Sequence, residues 1–288
     1  MIVVTGATGQ LGRAIVLSLL EKVAASEVVA STRDPQKAAE LGGLGVEVRR
    51  GDYTDGESLR RVFEGAGQVL MISSNAAAFG GDPIAQHRAV IEAAREKGVR
   101  RIVYTSHMGA SDRSHFGPMH THFATEAMLG ESGLAWTSLR NGFYASSVLG
   151  LLEQGLETGV IRLPQDGKVS WTSHPDLAAG AAAILLDEGR FEGPTPPLTA
   201  SEALDLADLA AIASNVLGRP IARETLSDDA MREALSARGL PEPIIDLQLG
   251  MFRASRAGEF SAVDPTLSQL LERPTQKVED LLAQRLSA

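Results

Sequence analysis

The sequence contains no cysteine among its 288 residues. Disulfide frameworks, thiol nucleophiles, iron–sulfur clusters and cysteine-based zinc sites are therefore excluded. Basic residues are also scarce, since 27 lysines and arginines against 36 acidic residues give a net charge of −9. Because no basic run offsets this charge, the chain has no electrostatic attraction to phosphate backbones or anionic membranes, and we expect no nucleic-acid partner.

Long apolar segments are absent as well. A membrane-spanning helix needs roughly 20 apolar residues, and the longest apolar stretch, residues 178–186, has about half that length. The chain opens on the strand-like Ile2-Val3-Val4-Thr5, which leaves no space for a secretory leader. We therefore expect a cytoplasmic protein without membrane insertion.

The first half of the chain alternates valine- and isoleucine-rich runs with segments of helical period. The runs predict strands at residues 2–5, 27–31, 46–50, 69–73, 102–106 and 136–139. The segments between them predict helices at residues 11–22, 35–41, 58–64, 84–97 and 121–132. A βαβαβ series repeated twice predicts a doubly wound parallel sheet with helices on both faces, the NAD(P)-binding Rossmann fold.

After residue 142 this alternation becomes irregular, and the Gly-Pro-Thr-Pro-Pro segment at 193–197 predicts a loop. Further helices are predicted at residues 175–187, 203–217, 228–238, 241–254 and 275–287. We expect a Rossmann domain over residues 1–142, to which residues 174–188 return. Residues 143–173 and 189–288 then form a smaller, mostly helical C-terminal domain on the substrate side.

A glycine-rich loop, Thr5-Gly6-Ala7-Thr8-Gly9-Gln10-Leu11-Gly12, follows the first predicted strand and opens the first helix. Gly6 permits the tight turn, Gly9 lets the backbone approach a pyrophosphate, and Gly12 allows close helix–strand packing. The free amides of the helix then face the anion. Strand, loop and helix together predict dinucleotide binding rather than a merely structural loop. The expected cofactor contacts in this loop are Gly6, Thr8, Gly9, Gln10, Leu11 and Gly12.

The end of the second strand indicates which dinucleotide is bound. An NAD-specific site places an acidic residue on the ribose hydroxyls about twenty residues beyond the glycine loop. Here the order is Ser31-Thr32-Arg33-Asp34, and Arg33 can pair with a 2′-phosphate, so NADPH is favoured over NADH. The alternative is a solvated arginine, and Asp34 itself is expected to cap a helix that begins at Pro35.

Three polar residues after the next two strands are further cofactor candidates. Asp52 follows the third strand and could contact the adenine, while Ser73 and Ser74 end the fourth and could contact ribose and phosphates. Ligands of such sheets bind outside the carboxyl ends of the strands. Each of these residues is equally an ordinary turn residue.

Four motifs carry a resemblance to a known enzyme group: the glycine loop, Thr105-Ser106, His122-Phe-Ala-Thr-Glu126 and Leu139-Arg-Asn-Gly-Phe-Tyr144. Together they resemble the atypical short-chain dehydrogenases/reductases, and within them the type 2, zinc-independent NAD(P)H:quinone oxidoreductases, relatives of the NmrA-like proteins. The resemblance covers almost the whole chain. It implies an NADPH-dependent oxidoreductase that passes hydride to a quinone or a similar small electrophile.

The resemblance also implies the residues around the nicotinamide. The segment expected to line this pocket is Asn141, Gly142, Phe143, Tyr144, Ala145 and Ser146. His174 stands where the family can carry an arginine near the cofactor. The expected substrate pocket consists of Phe79, Ser106, His107, Phe143 and Tyr144. Within it, Ser106 matches a substrate-orienting serine of standard members, and Phe79, before Gly80-Gly81, could close over a flat ring.

Standard members of the superfamily use a Tyr-x-x-x-Lys pair, whose lysine lowers the tyrosine pKa. None of the three tyrosines fits, because Tyr53 is followed four residues later by Glu57, Tyr104 by Met108 and Tyr144 by Val148. The expected position holds His122 and Glu126 instead. Quinone reduction does not need the Tyr/Lys pair, because a quinone accepts hydride readily and water or a mild acid can protonate the product.

Four of the six histidines, His107, His115, His120 and His122, lie within sixteen residues. No metal site is predicted, because their spacing is not the i, i+4 pattern of a helical zinc site and no acid or cysteine completes a ligand set. His122 is the candidate catalytic residue, as a proton donor to the hydroquinone oxygen or as an orienting hydrogen bond. The alternative is a partly buried histidine that caps its own helix.

A second function stays open, namely a catalytically silent NADP-sensing regulator like NmrA. Both functions keep the glycine loop and can lack the Tyr/Lys pair, but the match at residues 140–144 favours the enzyme. An isoflavone-reductase-like enzyme ranks last, because it needs a lysine near His122 or Glu126 and none lies between Lys97 and Lys168. The expected partner is a small planar acceptor, and fold-level analogy alone suggests a homodimer.

Overall fold

Seven parallel strands form the central sheet of the protein, in a computed structural model that describes residues 1–286. The strands of the chain are β1 Ile2–Val4, β2 Val28–Thr32, β3 Glu47–Arg50, β4 Gln68–Met71, β5 Arg101–His107, β6 Ala135–Asn141, β7 Phe143–Tyr144, β8 Val160–Pro164, β9 Trp171–Thr172, β10 Gly193–Pro194 and β11 Ala222–Leu226. The central sheet has the order β10-β6-β5-β4-β1-β2-β3. The strand order reverses between β1 and β4, which is the point where doubly wound sheets bind their ligands. The predicted fold class is confirmed.

Helices cover both faces of this sheet. They are α1 Gln10–Leu20, α2 Ala39–Gly43, α3 Gly56–Val62, α4 Pro83–Glu96, α5 Pro118–Glu131, α6 Ser146–Thr158, α7 His174–Leu186, α8 Leu206–Leu217, α9 Asp228–Ala237, α10 Glu242–Arg256, α11 Thr266–Leu271 and α12 Val278–Leu286. Successive strand residues point to opposite faces. Accordingly, Val4 packs in the core with α1 and α7, whereas Val3 packs in the opposite core with α3 and α4.

A third apolar core joins elements of the second half of the chain, chiefly α6, α8, α9, α10 and α12. Two short parallel strand pairs, β7 with β9 and β8 with β11, lie outside the central sheet. The division of the chain into two domains stays a prediction. Among residues 1–286, no helix is both long and apolar enough to cross a bilayer.

Several predicted elements need correction. The loop predicted over 193–197 begins with the edge strand β10, which pairs with β6; Pro194 is tolerated there because an edge strand leaves amides unpaired. The helices α6 and α11 were not predicted. The predicted helix 203–217 begins only at Leu206, after the cap Asp205. The predicted helix 275–287 begins at Val278, and Ser287 lies outside the described residues.

Candidate functional site

The glycine-rich loop connects β1 to α1 at the switch point of the sheet. Gly6 has a φ of 58°, in the left-handed region that favours glycine. A Cβ on Gly12 would lie 2.4 Å from the carbonyl oxygen of Gly6, so only glycine lets α1 start this close to the loop. The N-cap residue Gly9 supplies no side-chain cap. The first amides of α1 are therefore left for an anion, which fits the pyrophosphate of a dinucleotide.

The end of β2 lies beside this loop, since the Oγ1 atoms of Thr8 and Thr32 are 3.3 Å apart. Arg33 follows Thr32 and is exposed, and no ion pair to it occurs within residues 1–286. A carboxylate oxygen of Asp34 accepts the amide of Gln36 at 3.1 Å, so its predicted capping role is confirmed. Arg33 is thus a cation next to the glycine loop, as a 2′-phosphate contact requires.

The predicted adenine residue, Asp52, is engaged in its own turn. Its Oδ1 accepts the amide and the hydroxyl of Thr54 at 2.9 and 2.8 Å. The neighbouring Tyr53 hydroxyl donates to the carbonyl of Ile72 at 2.8 Å and contacts Thr5 Oγ1 at 2.5 Å. Burial raises the pKa of Tyr53, so this tyrosine ties β1 to the end of β4 as a neutral phenol.

The segment after β4 is held by a histidine that the sequence analysis did not single out. The amide of Ser74 donates to Nε2 of His87 at 2.8 Å, and Nδ1 of His87 lies 2.8 Å from Thr125 Oγ1. The Thr125 hydroxyl donates to the carbonyl of Thr121, so it accepts the proton of Nδ1. Burial lowers the pKa of His87 to about 3. A neutral His87 on α4 therefore fixes the Ser74 backbone, and Ser73 is fixed similarly through Thr105 at 2.8 Å.

A buried carboxylate, Glu126, organises the carboxyl ends of β5 and β6. Its Oε1 accepts the hydroxyls of Ser106 and Ser138 at 2.7 and 2.9 Å and the Nε of Arg140 at 3.2 Å. Its Oε2 accepts a second guanidinium nitrogen of Arg140 at 2.7 Å. The hydroxyl proton of Ser106 is therefore directed to Glu126. Both carboxylate oxygens of Glu126 are thus occupied by a paired, charge-assisted contact with Arg140.

An aromatic cluster lies directly after these two strand ends. It consists of His107 at the end of β5, Phe143 just after β6, Phe116, Trp171 and Phe260. The ring of Phe143 makes edge contacts with His107, Trp171 and Phe260, each at a centroid separation of 5.3 Å. Phe260 was not predicted, because it stands alone in a polar stretch after α10. This cluster is an apolar wall of the kind that flat rings contact.

His122 stands next to this cluster. Its ring lies 6.2 Å from that of His107, with 29° between the ring planes. Its Nδ1 is 2.8 Å from the hydroxyl of Tyr104, a fully buried residue whose pKa burial raises. Burial also lowers the pKa of His122 to about 4 and that of His107 to about 3. Both imidazoles are therefore neutral near pH 7.

The predicted nicotinamide segment passes from β6 through β7 into α6. Asn141 is buried, and its Oδ1 has no hydrogen-bond partner in the described part of the chain. A Cβ on Gly142 would lie 2.2 Å from Thr172 Oγ1, so this position requires glycine. The ring of Tyr144 packs on that of His174 at 4.5 Å. Burial raises the pKa of Tyr144 to about 12, and a hydrogen bond from Asn141 opposes the shift.

Some predicted residues meet at one cavity, and others do not. Ala145, Ser146 and His174 line an opening of about 300 Å³ under α12. Phe79 is 82% exposed, and its ring packs on no aromatic ring of residues 1–286.

The remaining clustered histidines form separate contacts. His115 Nδ1 lies 2.6 Å from a Glu259 carboxylate oxygen, and His120 Nε2 donates to the carbonyl of Ser114. In the described residues, no group of three His, Asp or Glu side chains is placed to hold a metal ion.

Comparisons with known proteins agree with this geometry. Residues 1–281 match the NmrA-like family. The chain is 39% identical to Quinone oxidoreductase 2 of Escherichia coli (strain K12) over 277 residues, which covers 96% of this chain and 95% of that protein. An NADPH-dependent quinone oxidoreductase of Escherichia coli, solved with NADPH, superimposes with a TM-score of 0.92 at 36% identity, covering 99% of this chain and all of that one.

A further solved structure is the triphenylmethane reductase of Citrobacter sp. complexed with NADP(H). It superimposes with a TM-score of 0.88 at 33% identity and covers 99% of each chain. These similarities extend over both halves of the chain, and the family match runs from residue 1 into α12. The chain therefore belongs to the NmrA-like family.

Proposed function

We propose that this protein is an NADPH-dependent oxidoreductase that transfers hydride to a quinone or a similar small planar electrophile. The observation that carries the proposal is the meeting of two features at the ends of β5 and β6. One is the 141–146 segment, with the buried and unpaired Oδ1 of Asn141, and the other is the aromatic cluster around Phe143. Phe143 belongs to both features, and a planar acceptor would pack on its ring.

Bound NADPH would supply the hydride. The chain's own residues bind and orient it: the amides at the start of α1 donate hydrogen bonds to the pyrophosphate, and Arg33 pairs with the 2′-phosphate. Asn141 Oδ1 is available for a ligand N–H, and Tyr144 with His174 forms one wall beside it. Ser73 and Ser74 present a backbone fixed by Thr105 and His87 to the ribose side.

No tyrosine in the sequence is followed four residues later by a lysine. This favours a quinone as the substrate over an alcohol or a sugar. Tyr104 and His122 stand near the acceptor site, but the pKa of the tyrosine is raised and that of the histidine is lowered. Neither group is tuned to exchange a proton with an alkoxide at neutral pH. A quinone needs no such exchange during hydride transfer, because its reduced anion is stable.

The alternative, a silent NADP-sensing regulator, has less support, because the similar proteins at 33–39% identity carry reductase names.

We also propose that residues 1–142 and 174–188 form one domain and that residues 143–173 and 189–288 form the other. We propose in addition that the protein is a homodimer, which sedimentation equilibrium would test. A cytoplasmic location stays a prediction.

The decisive experiment follows the loss of NADPH absorbance with and without 1,4-benzoquinone. Wild type should turn over faster with NADPH than with NADH. Arg33→Ala should raise the KM for NADPH about 10- to 100-fold, the size of a charge-assisted hydrogen bond, and leave that for NADH nearly unchanged. Arg60→Ala, which removes an exposed partner of Glu96, is the matched control and should match wild type. Cofactor binding without any quinone-stimulated oxidation would instead favour the regulator.

A further inference from the structure

Helix α10 ends in a sharp reversal that turns the chain toward the aromatic cluster. Gly258 has a φ of 78°, and the amide of Glu259 donates to the carbonyl of Ala254 at 3.1 Å, which together form a Schellman motif. The residue that follows the glycine of this motif is often apolar, because it packs back on the helix. Here it is an acid, and it follows the negative end of the helix dipole. Local rules disfavour Glu259 at this position, so its contacts with other segments should explain it.

The carboxylate of Glu259 binds the segment between β5 and α5. Its Oε1 accepts the amide of His115 at 3.0 Å and lies 2.6 Å from Nδ1 of the same residue, and its Oε2 accepts the hydroxyl of Ser114. Burial raises the pKa of Glu259, but these hydrogen bonds lower it by more, so the pKa lies below its ordinary value. Glu259 is therefore an ionised carboxylate near pH 7, with only 18% of its side chain exposed.

These contacts also fix the next residue of the segment, Phe116. The Ser114 hydroxyl that donates to Glu259 accepts the amide of Phe116 at 3.1 Å. Helix α10 approaches the same segment at Gly250, where a Cβ would lie 2.7 Å from the carbonyl oxygen of His115. The position of Phe116 thus depends on α10 and on the turn at its end.

The ring of Phe116 belongs to the aromatic cluster. Phe116 and Phe143 are the two phenylalanines of the cluster that are only partly buried, and their ring centroids lie 6.0 Å apart. Phe260 is fully buried and contacts both rings, at 6.0 Å from Phe116 and 5.3 Å from Phe143. Because Glu259 and Phe260 are consecutive, one turn of the chain places both the carboxylate that holds Phe116 and the ring that supports it.

We propose that Glu259 is a positioning residue for the acceptor, because it holds Phe116 beside Phe143 and so completes the aromatic surface on which a planar ring packs. The proposal rests on the proposed function and assigns to Glu259 the preference of the site for larger planar acceptors. A two-ring quinone has more face to pack on two phenylalanines than a one-ring quinone, so it should lose more affinity when Phe116 is released. Glu259 itself takes no part in hydride transfer.

The first test measures the segment itself and does not depend on turnover. Amide hydrogen exchange of the full chain, followed by mass spectrometry, should be faster over residues 108–117 in Glu259→Ala than in wild type, because the His115 amide loses its acceptor. Equal exchange over this segment in the two proteins would overturn the proposal.

Asp228→Ala is the matched control for this measurement. Its carboxylate also binds the end of α10, through Arg253 at 3.1 Å and Arg256 at 2.9 Å, but none of its hydrogen bonds within residues 1–286 reaches the 108–117 segment. Exchange over residues 108–117 should therefore stay at the wild-type rate in Asp228→Ala.

The second test is kinetic and compares a two-ring with a one-ring acceptor. In Glu259→Ala, the KM for 1,4-naphthoquinone should rise about 3- to 10-fold, the range of one aromatic contact, and that for 1,4-benzoquinone about twofold at most. The kcat and the Kd of NADPH should stay within about twofold of wild type, because a lost contact that is equal in ground and transition states changes KM alone. A lower kcat with an unchanged KM for 1,4-naphthoquinone would overturn the proposal.

A double-mutant cycle tests whether Glu259 acts through Phe116. Phe116→Ala should itself raise the KM for 1,4-naphthoquinone, and adding Glu259→Ala to it should raise that KM no further. Additive effects would overturn the proposal, because Glu259 would then act on the acceptor by another route. A wild-type protein that oxidises NADPH with neither quinone would overturn the proposed function, and hydrogen exchange would still decide whether Glu259 holds the segment.

Discussion

The buried histidine His87 should make the protein sensitive to acid. Its ring accepts the Ser74 amide through Nε2 and donates to Thr125 through Nδ1, an arrangement that only the neutral form can make. Burial lowers its folded-state pKa to about 3, with a smaller contribution from His122 and an opposing one from Asp82. In the unfolded chain the pKa is about 6.5. The unfolded state therefore binds a proton below pH 6.5 while the folded state does not, and stability falls as the pH falls.

The magnitude follows from this difference. Each pH unit between the two pKa values changes the free energy of unfolding by about 1.4 kcal/mol for one group. Between pH 7.5 and pH 5, the His87 contribution should thus fall by about 2 kcal/mol, nearly all of it below pH 6.5. The fully buried side chain of His87 gives little room for water to reduce this effect.

The perturbation that tests this reasoning is His87→Gln, because an amide can still accept from Ser74 and donate to Thr125 but does not titrate. Urea unfolding, followed by tryptophan fluorescence, should show the variant less stable than wild type at pH 7.5. At pH 5 the gap should narrow by about 2 kcal/mol. Val90→Ala, on the same helix, removes buried methyl groups and keeps every histidine, so its deficit should be equal at both pH values. A deficit of His87→Gln that does not change with pH would refute the assignment.

Two further predictions test the loop and the buried ion pair. Gly12→Ala should place a Cβ against the Gly6 carbonyl oxygen, destabilise the fold by about 1–3 kcal/mol and weaken NADPH binding in a calorimetric titration. Gly150→Ala, in open space on α6, should instead be neutral or stabilising in the same measurements. Glu126→Gln should lower the free energy of unfolding by about 2–3 kcal/mol in urea, less than a fully buried pair, because the Arg140 side chain is 30% exposed. Equal stability of Glu126→Gln and wild type would contradict a structural role for this carboxylate.

The parts of the site that are local in sequence could be predicted. The glycine loop carries its own constraints, since a positive φ at Gly6 and the contact of Gly12 with the Gly6 carbonyl are both set within eight residues. The strands β1 to β6 were predictable for the same reason, because buried valine and isoleucine runs define most of them, whereas the later strands β7, β8, β9 and β11 were not predicted. Arg33 and Asp34 follow directly from the end of β2.

The parts that depend on contacts between distant segments were not predictable. Helix α6 escaped prediction because it contains Gly155, which lowers helix propensity. The structure explains this glycine, since a Cβ there would lie 2.4 Å from Ile161 on β8. Phe260 likewise joins the aromatic cluster only through the chain path after α10, and His87 looks in sequence like any polar residue of an amphipathic helix.

The polar side chains at the ends of β5 and β6 are held by the fold itself. Glu126 accepts four hydrogen bonds and forms an ion pair with Arg140. Tyr104 is held as a phenol and His122 as a neutral imidazole, each because burial disfavours its charged form. Tyr104 and His122 therefore keep their neutral forms near neutral pH, so neither of them exchanges a proton readily there. Such a site suits an acceptor that already takes hydride readily and gains from orientation.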